Sequence, residues 1–275
     1  MKLEVYAGEL PEEGVEFISS HRMGMVYHVP EWLRIVSSLT ESQFFYLVGL
    51  DGAGGIKGLV PVCLKDGPLG TIANSSPFFG SHGGILADGE ETFDALASGL
   101  LRFLMEQGAV AANIIEPLFA TDGDRYQRTM PVTDVDRRIG QYKDLRGLEA
   151  RDRLFGSLGG LTRSNLERRA WRSGMRIFRD ESPAGLASVH AMHQEEMSRR
   201  PGGNPKPWRF FELVGQHLLE RASYRVYLAE IEGEIVAGLL VIRWRDFIEY
   251  ITPAFKEVAR MHQPMSALIF QAMLE

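Results

Sequence analysis

The sequence predicts a mixed α/β (α+β) protein of two units, each a mainly antiparallel twisted sheet flanked by helices. Three observations lead there. The chain has 275 residues, too many for one small domain and enough for two of roughly 100–150 each. Apolar runs split by glycine-rich turns occur twice, at 43–73 and 224–255, and read as strand meanders. Helical periodicity brackets each meander, so both halves run helices, then a meander, then a helix. The units are placed at 1–144 and 145–275, with the polar stretch from Ala120 to Asp144 as the crossing between them.

The elements follow in order. In PEWLRIVSSL, Trp32, Ile35, Val36 and Leu39 fall at helical spacing behind Pro30. The first meander leads through the glycine-rich SSPFFGSHGGIL into a short strand. EETFDALASGLLRFLMEQGA is an amphipathic helix with an acidic first turn, an apolar row from Phe93 to Leu104, and Gly108 as its stop. VAANIIEPL is a strand. The second half opens with a basic helix from Thr162 to near Gly174 and a strand MRIFRD. Helices AGLASVHAMHQEEMSRR and PWRFFELVGQHLLER follow, parted by PGGNPKP. Three strands come next, the first two joined by an EGE hairpin, and a last helix starts after Pro264.

Composition narrows the class. An apolar share of 45% and a charged share of 24% allow a normal core and exclude a disordered chain or a disulfide scaffold. Cys63 is the single cysteine; it reads as a core residue in a strand and fits a reducing compartment. The N-terminus has no apolar run of signal-peptide length, and IVAGLLVI is far below the roughly 20 residues that span a bilayer. A cytoplasmic protein without a transmembrane segment is expected. The net charge of −6 argues against a nucleic-acid coat protein, and no DNA partner is expected. Against that acidity, Thr162–Asp180 carries six arginines.

Motifs for common chemistries are missing. The closest histidine pairs, His21 with His28 and His190 with His193, lack HExxH spacing or cysteine support, so no metal site is expected. There is no GxSxG elbow and no P-loop. The junction of the last strand and last helix is more informative. Backbone N–H groups near Met265 and Ser266, at that helix start, suit an anion.

Taken together, TRSNLERRAWRSGMRI, MSRRPGGNPKPWRFFELV, YRVYLAEIEGEIVAGLLVI and FIEYITPAFKEVARMHQP resemble the FemAB-type transferases, the peptidoglycan-bridge aminoacyltransferases. HVPEWLRIV, GLVPVCLKDGPLG and SSPFFGSHGGIL are weaker matches, so the likeness covers nearly the whole chain. It rests on order and spacing. It implies two tandem GNAT-like domains and transfer of an aminoacyl group from a tRNA ester to an amine of a cell-wall precursor. Relatives in the wider superfamily use acyl-CoA and serve polysaccharide or lipid pathways. Two departures matter. The family continues past the final helix, so strand(s) completing the second sheet are expected to be missing from the chain as it stands. The coiled-coil arm that some members use for tRNA is also missing. Acyl-CoA enzymes carry a Gln/Arg-x-x-Gly-x-Gly/Ala loop at the helix start; here Arg260 and Gln263 are followed by Pro264, Met265 and Ser266.

The resemblance also implies roles for residues. An activated acyl donor needs no enzyme nucleophile, only deprotonation of the amine, donors for the acyl oxygen, and alignment. Glu249 is the candidate base and Tyr250 the proton donor or substrate contact; as strand neighbours they point to opposite faces. His262 and Gln263 flank the loop as substrate-binding candidates. Arg199, Arg200 and Trp208 resemble the acceptor-side loop, where an arginine grips phosphate or carboxylate. Arg168, Arg172 and Arg176 form an i, i+4, i+8 row for a phosphate-bearing substrate, above apolar contacts from Leu158, Leu161 and Leu166. Arg260, Met265 and Ser266 are the donor-binding set. No tightly bound cofactor is expected; aminoacyl-tRNA or acyl-CoA serves as co-substrate. The acceptor is a phosphorylated amine, one that can be membrane-associated. The alternatives are an acyl-CoA-dependent N-acetyltransferase of a small amine and a non-catalytic binding module of the same fold.

Overall fold

The computed structural model of the chain describes residues 1–76, 80–120, 122–219 and 222–275. Pro77, Phe78 and Phe79 of the glycine-rich segment, Thr121 of the polar stretch, and Glu220 and Arg221 of the helix expected after PGGNPKP lie outside the described residues. Two compact units are found, Met1–Gly140 and Gln141–Glu275.

The first unit runs β1 (Lys2–Ala7), α1 (Glu12–Ser20), a 3-10 turn Val26–His28, α2 (Pro30–Thr40), β2 (Gln43–Leu50), β3 (Ile56–Gly67), β4 (Gly70–Asn74), β5 (Leu86–Ala87), α3 (Glu90–Glu106), β6 (Ala109–Asn113) and α4 (Arg125–Thr129). The sheet order is β1-β2-β3-β4-β6, with β5 beside β3. Among the described residues only β4 and β6 pair in parallel, α3 lying in the crossover between them. β3 is buried without a break from Gly58 to Leu64 because both faces are covered. Val60, Val62 and Leu64 pack on Leu96, Leu100 and Leu104 of α3. Each such side chain contributes about 1.5–3 kcal/mol. Pro61 sits inside this central strand without breaking it. The strand pairs β5 through Gly58 and Leu59 and β4 from Cys63 onward, so residues 60–62 have no ladder partner on that edge.

The sequence gives no sign of β1 or α1. β1 finds its partner more than 40 residues away, Lys2 opposite Leu50, and α1 buries only Gly14, Val15 and Ile18. The polar stretch is also less irregular than expected. Tyr126 of α4 lies edge-on to Phe93 at 5.0 Å, and its hydroxyl accepts from Ile85 N–H at 2.8 Å.

The second unit runs α5 (Arg151–Gly156), α6 (Gly160–Arg168), a 3-10 turn Ala170–Arg172, β7 (Arg176–Arg179), α7 (Pro183–Ser198), α8 (Trp208–His217), β8 (Ala222–Ile231), β9 (Glu234–Trp244), β10 (Phe247–Phe255), a 3-10 stretch Glu257–His262 and α9 (Pro264–Leu274). Its antiparallel sheet has the order β10-β9-β8-β7. α7 starts with Pro183 behind Ser182, whose hydroxyl accepts from Gly185 N–H at 3.3 Å. It covers one sheet face so closely that a Cβ at Gly238 would meet Val189 and Met192. α9 covers the other face with Leu268 and Ala272. The β8–β9 turn has positive φ at Glu232 (53°) and Gly233 (83°), the two-residue geometry that follows strand twist.

The expected single basic helix is broken, which corrects the arginine row. α6 ends at Arg168; Arg169 leaves helical geometry at φ −122°, ψ −68°. Arg172 belongs to the 3-10 turn and Arg176 to β7, where it pairs with Glu230 at 2.7 Å. The break lets Ala170, like Leu166, pack against Ala267 and Phe270 of α9. Leu158 joins that cluster, but Leu161 is 79% exposed and supplies no core contact. α5, unmarked in the sequence, buries Leu154 in the same cluster.

Candidate active site

The strand register of β10 slips once. Tyr250 faces Val241 and Thr252 faces Leu240, so Ile251 is an extra residue without a partner. The faces follow from the pairs. Ile248 belongs to the α9 core, as do Val241 and Leu239, the partners of Tyr250 and Pro253. Glu249 and Thr252 therefore share the opposite face with Ala254, whose partner Gly238 touches α7. The structure thus separates Glu249 and Tyr250; no single cleft on one face holds both. Tyr250 is 60% exposed.

The Ile251 carbonyl stands at this bulge. It accepts a hydrogen bond from Lys206 Nζ at 3.1 Å. Lys206 ends the loop between α7 and α8 and is only 8% exposed, and burial lowers its ammonium to about 8. Its own N–H donates to His193 Nε2 at 3.1 Å. That bond makes Nε2 an acceptor, so the neutral ring carries its proton on Nδ1. Burial first, then the neighbouring charges of Lys206, His190 and Arg200, lower His193 to about 4. His190 lies tilted against Trp208 at 5.5 Å and Phe211 at 5.1 Å. Its Nε2 and the Thr252 hydroxyl are buried with no hydrogen-bond partner among the described residues. Such groups cost about 1–3 kcal/mol each. A buried polar set of His190, His193, Lys206 and Thr252 thus underlies the interrupted strand. Sequence reasoning missed Lys206. It noticed the two histidines, but only as a candidate metal pair; the visible signal was a lysine between two prolines, and its partner lies 45 residues on.

The remaining candidates divide by place. Arg260 and His262 lie in the 3-10 stretch after β10, Gln263 caps α9, and Met265 and Ser266 belong to the first turn of α9. Arg260 is held by Glu257 at 2.6 Å and lies over the Phe255 ring. Gln263 adopts φ 52°, and both its N–H and its Nε2 donate to the Arg260 carbonyl at 3.1 and 3.0 Å. The Ser266 N–H, expected to be open to an anion, donates to the Gln263 carbonyl at 3.2 Å. Pro264 has no N–H, so Met265 supplies the first open donor of the eleven-residue α9. Arg199 and Arg200 pair with Glu195 and Glu196 one helical turn back. Trp208 is half-buried against His190 and Phe211. Arg168 and Arg172 are exposed and lie on the α9 side of the sheet, opposite α7 and the Arg199 and Arg200 that follow it.

A separate cavity among the described residues lies elsewhere. It measures about 610 Å³ and lies in the first unit, lined by His21, Arg22, Asp88, Glu90, Asp122 and Arg125. Its walls mix both charge signs, and Asp122 is already held by Arg128.

Residues 162–275 match the family described as Acetyltransferase (GNAT) domain. No curated protein matches the chain. Among solved structures, FemX is similar with a TM-score of 0.74 at 14% identity, covering 99% of this chain and 85% of that one. L-PGS from Bacillus licheniformis gives 0.52 at 14%, covering 97% and 73%. The C-terminal domain of an Agrobacterium fabrum protein assigned to the lysylphosphatidylglycerol synthetases gives 0.50 at 14%, covering 95% and 73%. At such identities the likeness is one of fold. The sheet β7–β10, with its interrupted strand and following helix, is thus similar to acetyltransferase (GNAT) domains, in a chain whose fold over nearly its whole length is similar to that of FemX.

Proposed function

We propose that this chain is an N-acyltransferase that moves an aminoacyl or acyl group to an amine of a cell-envelope or polysaccharide precursor. The observation that carries the reading is the conjunction of the GNAT match over 162–275 with the FemX-like fold over 99% of the chain. The chemistry is direct displacement. The acceptor amine attacks the acyl carbon, its proton passes to a base, and the tRNA hydroxyl or CoA thiol departs with a proton. Glu249 is the base in this reading: no described residue pairs with its carboxylate, and it stands two residues before the bulge. Backbone donors at the bulge serve the developing oxyanion, which such groups stabilise without reorganising. Tyr250, on the other face, contacts substrate.

The donor divides the reading. The family's description favours acyl-CoA. The α9 start counts against it, because Pro264 and the occupied Ser266 N–H leave few donors for a pyrophosphate. We therefore put aminoacyl-tRNA first. Acceptor phosphate is assigned to Arg168 and Arg172, which carry no ion pair among the described residues. Transfer to amino-sugar and peptide acceptors, assayed with charged tRNA and with acyl-CoA pools, tests this. Loss of transfer on ribonuclease treatment identifies tRNA; persistence identifies CoA. Silence from both donors across a broad acceptor panel would sink the acyltransferase reading.

A further inference from the structure

A lysine is among the residues least often buried, and an ammonium taken from water costs several kcal/mol unless it is well bonded. An apolar side chain of similar length would fill the space of Lys206 without that cost. The stability of the unit therefore gives no reason for a lysine there. Its Nζ contact does: it meets the carbonyl of Ile251, the residue that the register slip leaves without a partner on β9. An unpaired carbonyl at that point would be free to turn, and the backbone donors beside it would turn with it.

We propose that Lys206 is a positioning residue for acyl transfer, its ammonium fixing the bulged backbone at Ile251 so that the donors beside it keep one aim at the acyl carbonyl. This rests on the acyltransferase reading above. The lysine is itself held from behind. Its N–H is anchored on His193 Nε2, and His193 is on α7, which packs against β10. The chain of contacts runs from α7 through His193 and Lys206 to the strand interruption. His193 works as a neutral acceptor; once protonated it would present a donor to the Lys206 N–H and release the loop. Lys206 touches the bulge through its carbonyl side, so it acts through the backbone and not on the substrate.

The test compares the full-length protein with its Lys206→Met and Lys206→Arg variants by two readouts. The first is steady-state transfer with the donor that supports turnover. The second is amide hydrogen exchange resolved along β8, β9 and β10. Lys206→Met is expected to lower kcat by about 10²-fold, the scale of a lost oxyanion donor, with both KM values within about twofold. Exchange should speed up at Ile251 and Thr252 while β8 and β9 hold. Lys206→Arg keeps a buried cation and should retain most of kcat. Unchanged kcat and exchange in Lys206→Met would overturn the proposal. So would faster exchange across the whole sheet with falling thermal stability, the mark of a merely structural role. If Lys206→Met does not fold, a folded Lys206→Arg with kcat down 10²-fold overturns it equally. Wild-type silence with every donor would defeat the acyltransferase reading instead, and the exchange data would still decide whether Lys206 holds the bulge.

Discussion

Glu249 and Tyr250 are neighbours in sequence and opposites in space, which makes the pair a test of role. Glu249→Gln is expected to lower kcat by about 10²-fold or more, the usual contribution of a positioned base. Tyr250→Phe should change kcat less than about threefold and act on KM. Equal losses in both would reject the assignment. The buried histidines make a second prediction at this scale. Desolvation lowers His28, fully buried in the first unit, to about 4, and His193 to a similar value. Between pH 4 and about 6.5 the unfolded chain binds protons that the folded chain refuses, so stability rises with pH across that window and levels above it. Urea midpoints measured from pH 4.5 to 7.5 should climb, then flatten, and His28→Gln should make the climb shallower. A midpoint independent of pH would show that burial does not govern these rings. Single residues were legible in the sequence where the signal is local. Cys63 reads as core from its strand context, and burial indeed raises its thiol to about 12. Lys206 was illegible, because its meaning depends on a carbonyl brought to it by the fold.

Elements show the same division between local and distant causes. The meanders were readable because glycine turns and apolar runs are properties of adjacent residues, and the EGE hairpin falls where expected. β1 was unreadable because its ladder partner is contributed by β2. The basic helix misled for a different reason. Periodicity alone continues a helix through Arg169, but Ala170 and Trp171 turn to cover Phe270 and Phe155, and packing wins over propensity. Arg151 then stacks across Trp171 at 4.8 Å. The β8–β9 turn gives the sharpest prediction here. Gly233 at φ 83° occupies a region that costs an L side chain about 1–2 kcal/mol. Gly233→Ala should lower unfolding free energy by about that amount, read from urea titration, and leave transfer activity alone. No change in midpoint would mean that the turn relaxes to another type.

At the scale of the whole molecule, sequence order gave the architecture: two sheets, each mainly antiparallel and flanked by helices, from one polar crossing and two meanders. Chemistry was less accessible at this scale, because donor and acceptor are chosen by surfaces that a pattern of apolar residues does not describe. The polar crossing itself carries the last prediction. From Pro131 to Asp144 the backbone forms no helix or strand and every residue is exposed. It includes Arg137, Arg138 and Lys143, whose side chains make surface contacts to Asp124, Asp136 and the Ser157 carbonyl. Exposed ion pairs of that kind are worth at most about 1 kcal/mol. A protease needs several residues of extended, accessible chain, and this stretch offers them, whereas the arginines of α5 and α6 lie in helices. Brief trypsin treatment should therefore cut first between Arg137 and Lys143 and leave two fragments of similar size, each resisting further digestion. Mass spectrometry of the earliest products identifies the bonds. First cuts inside α6 or the loop after α7 would show that the second unit opens more readily than the crossing, and that its GNAT sheet is not a stable body on the time scale of cleavage.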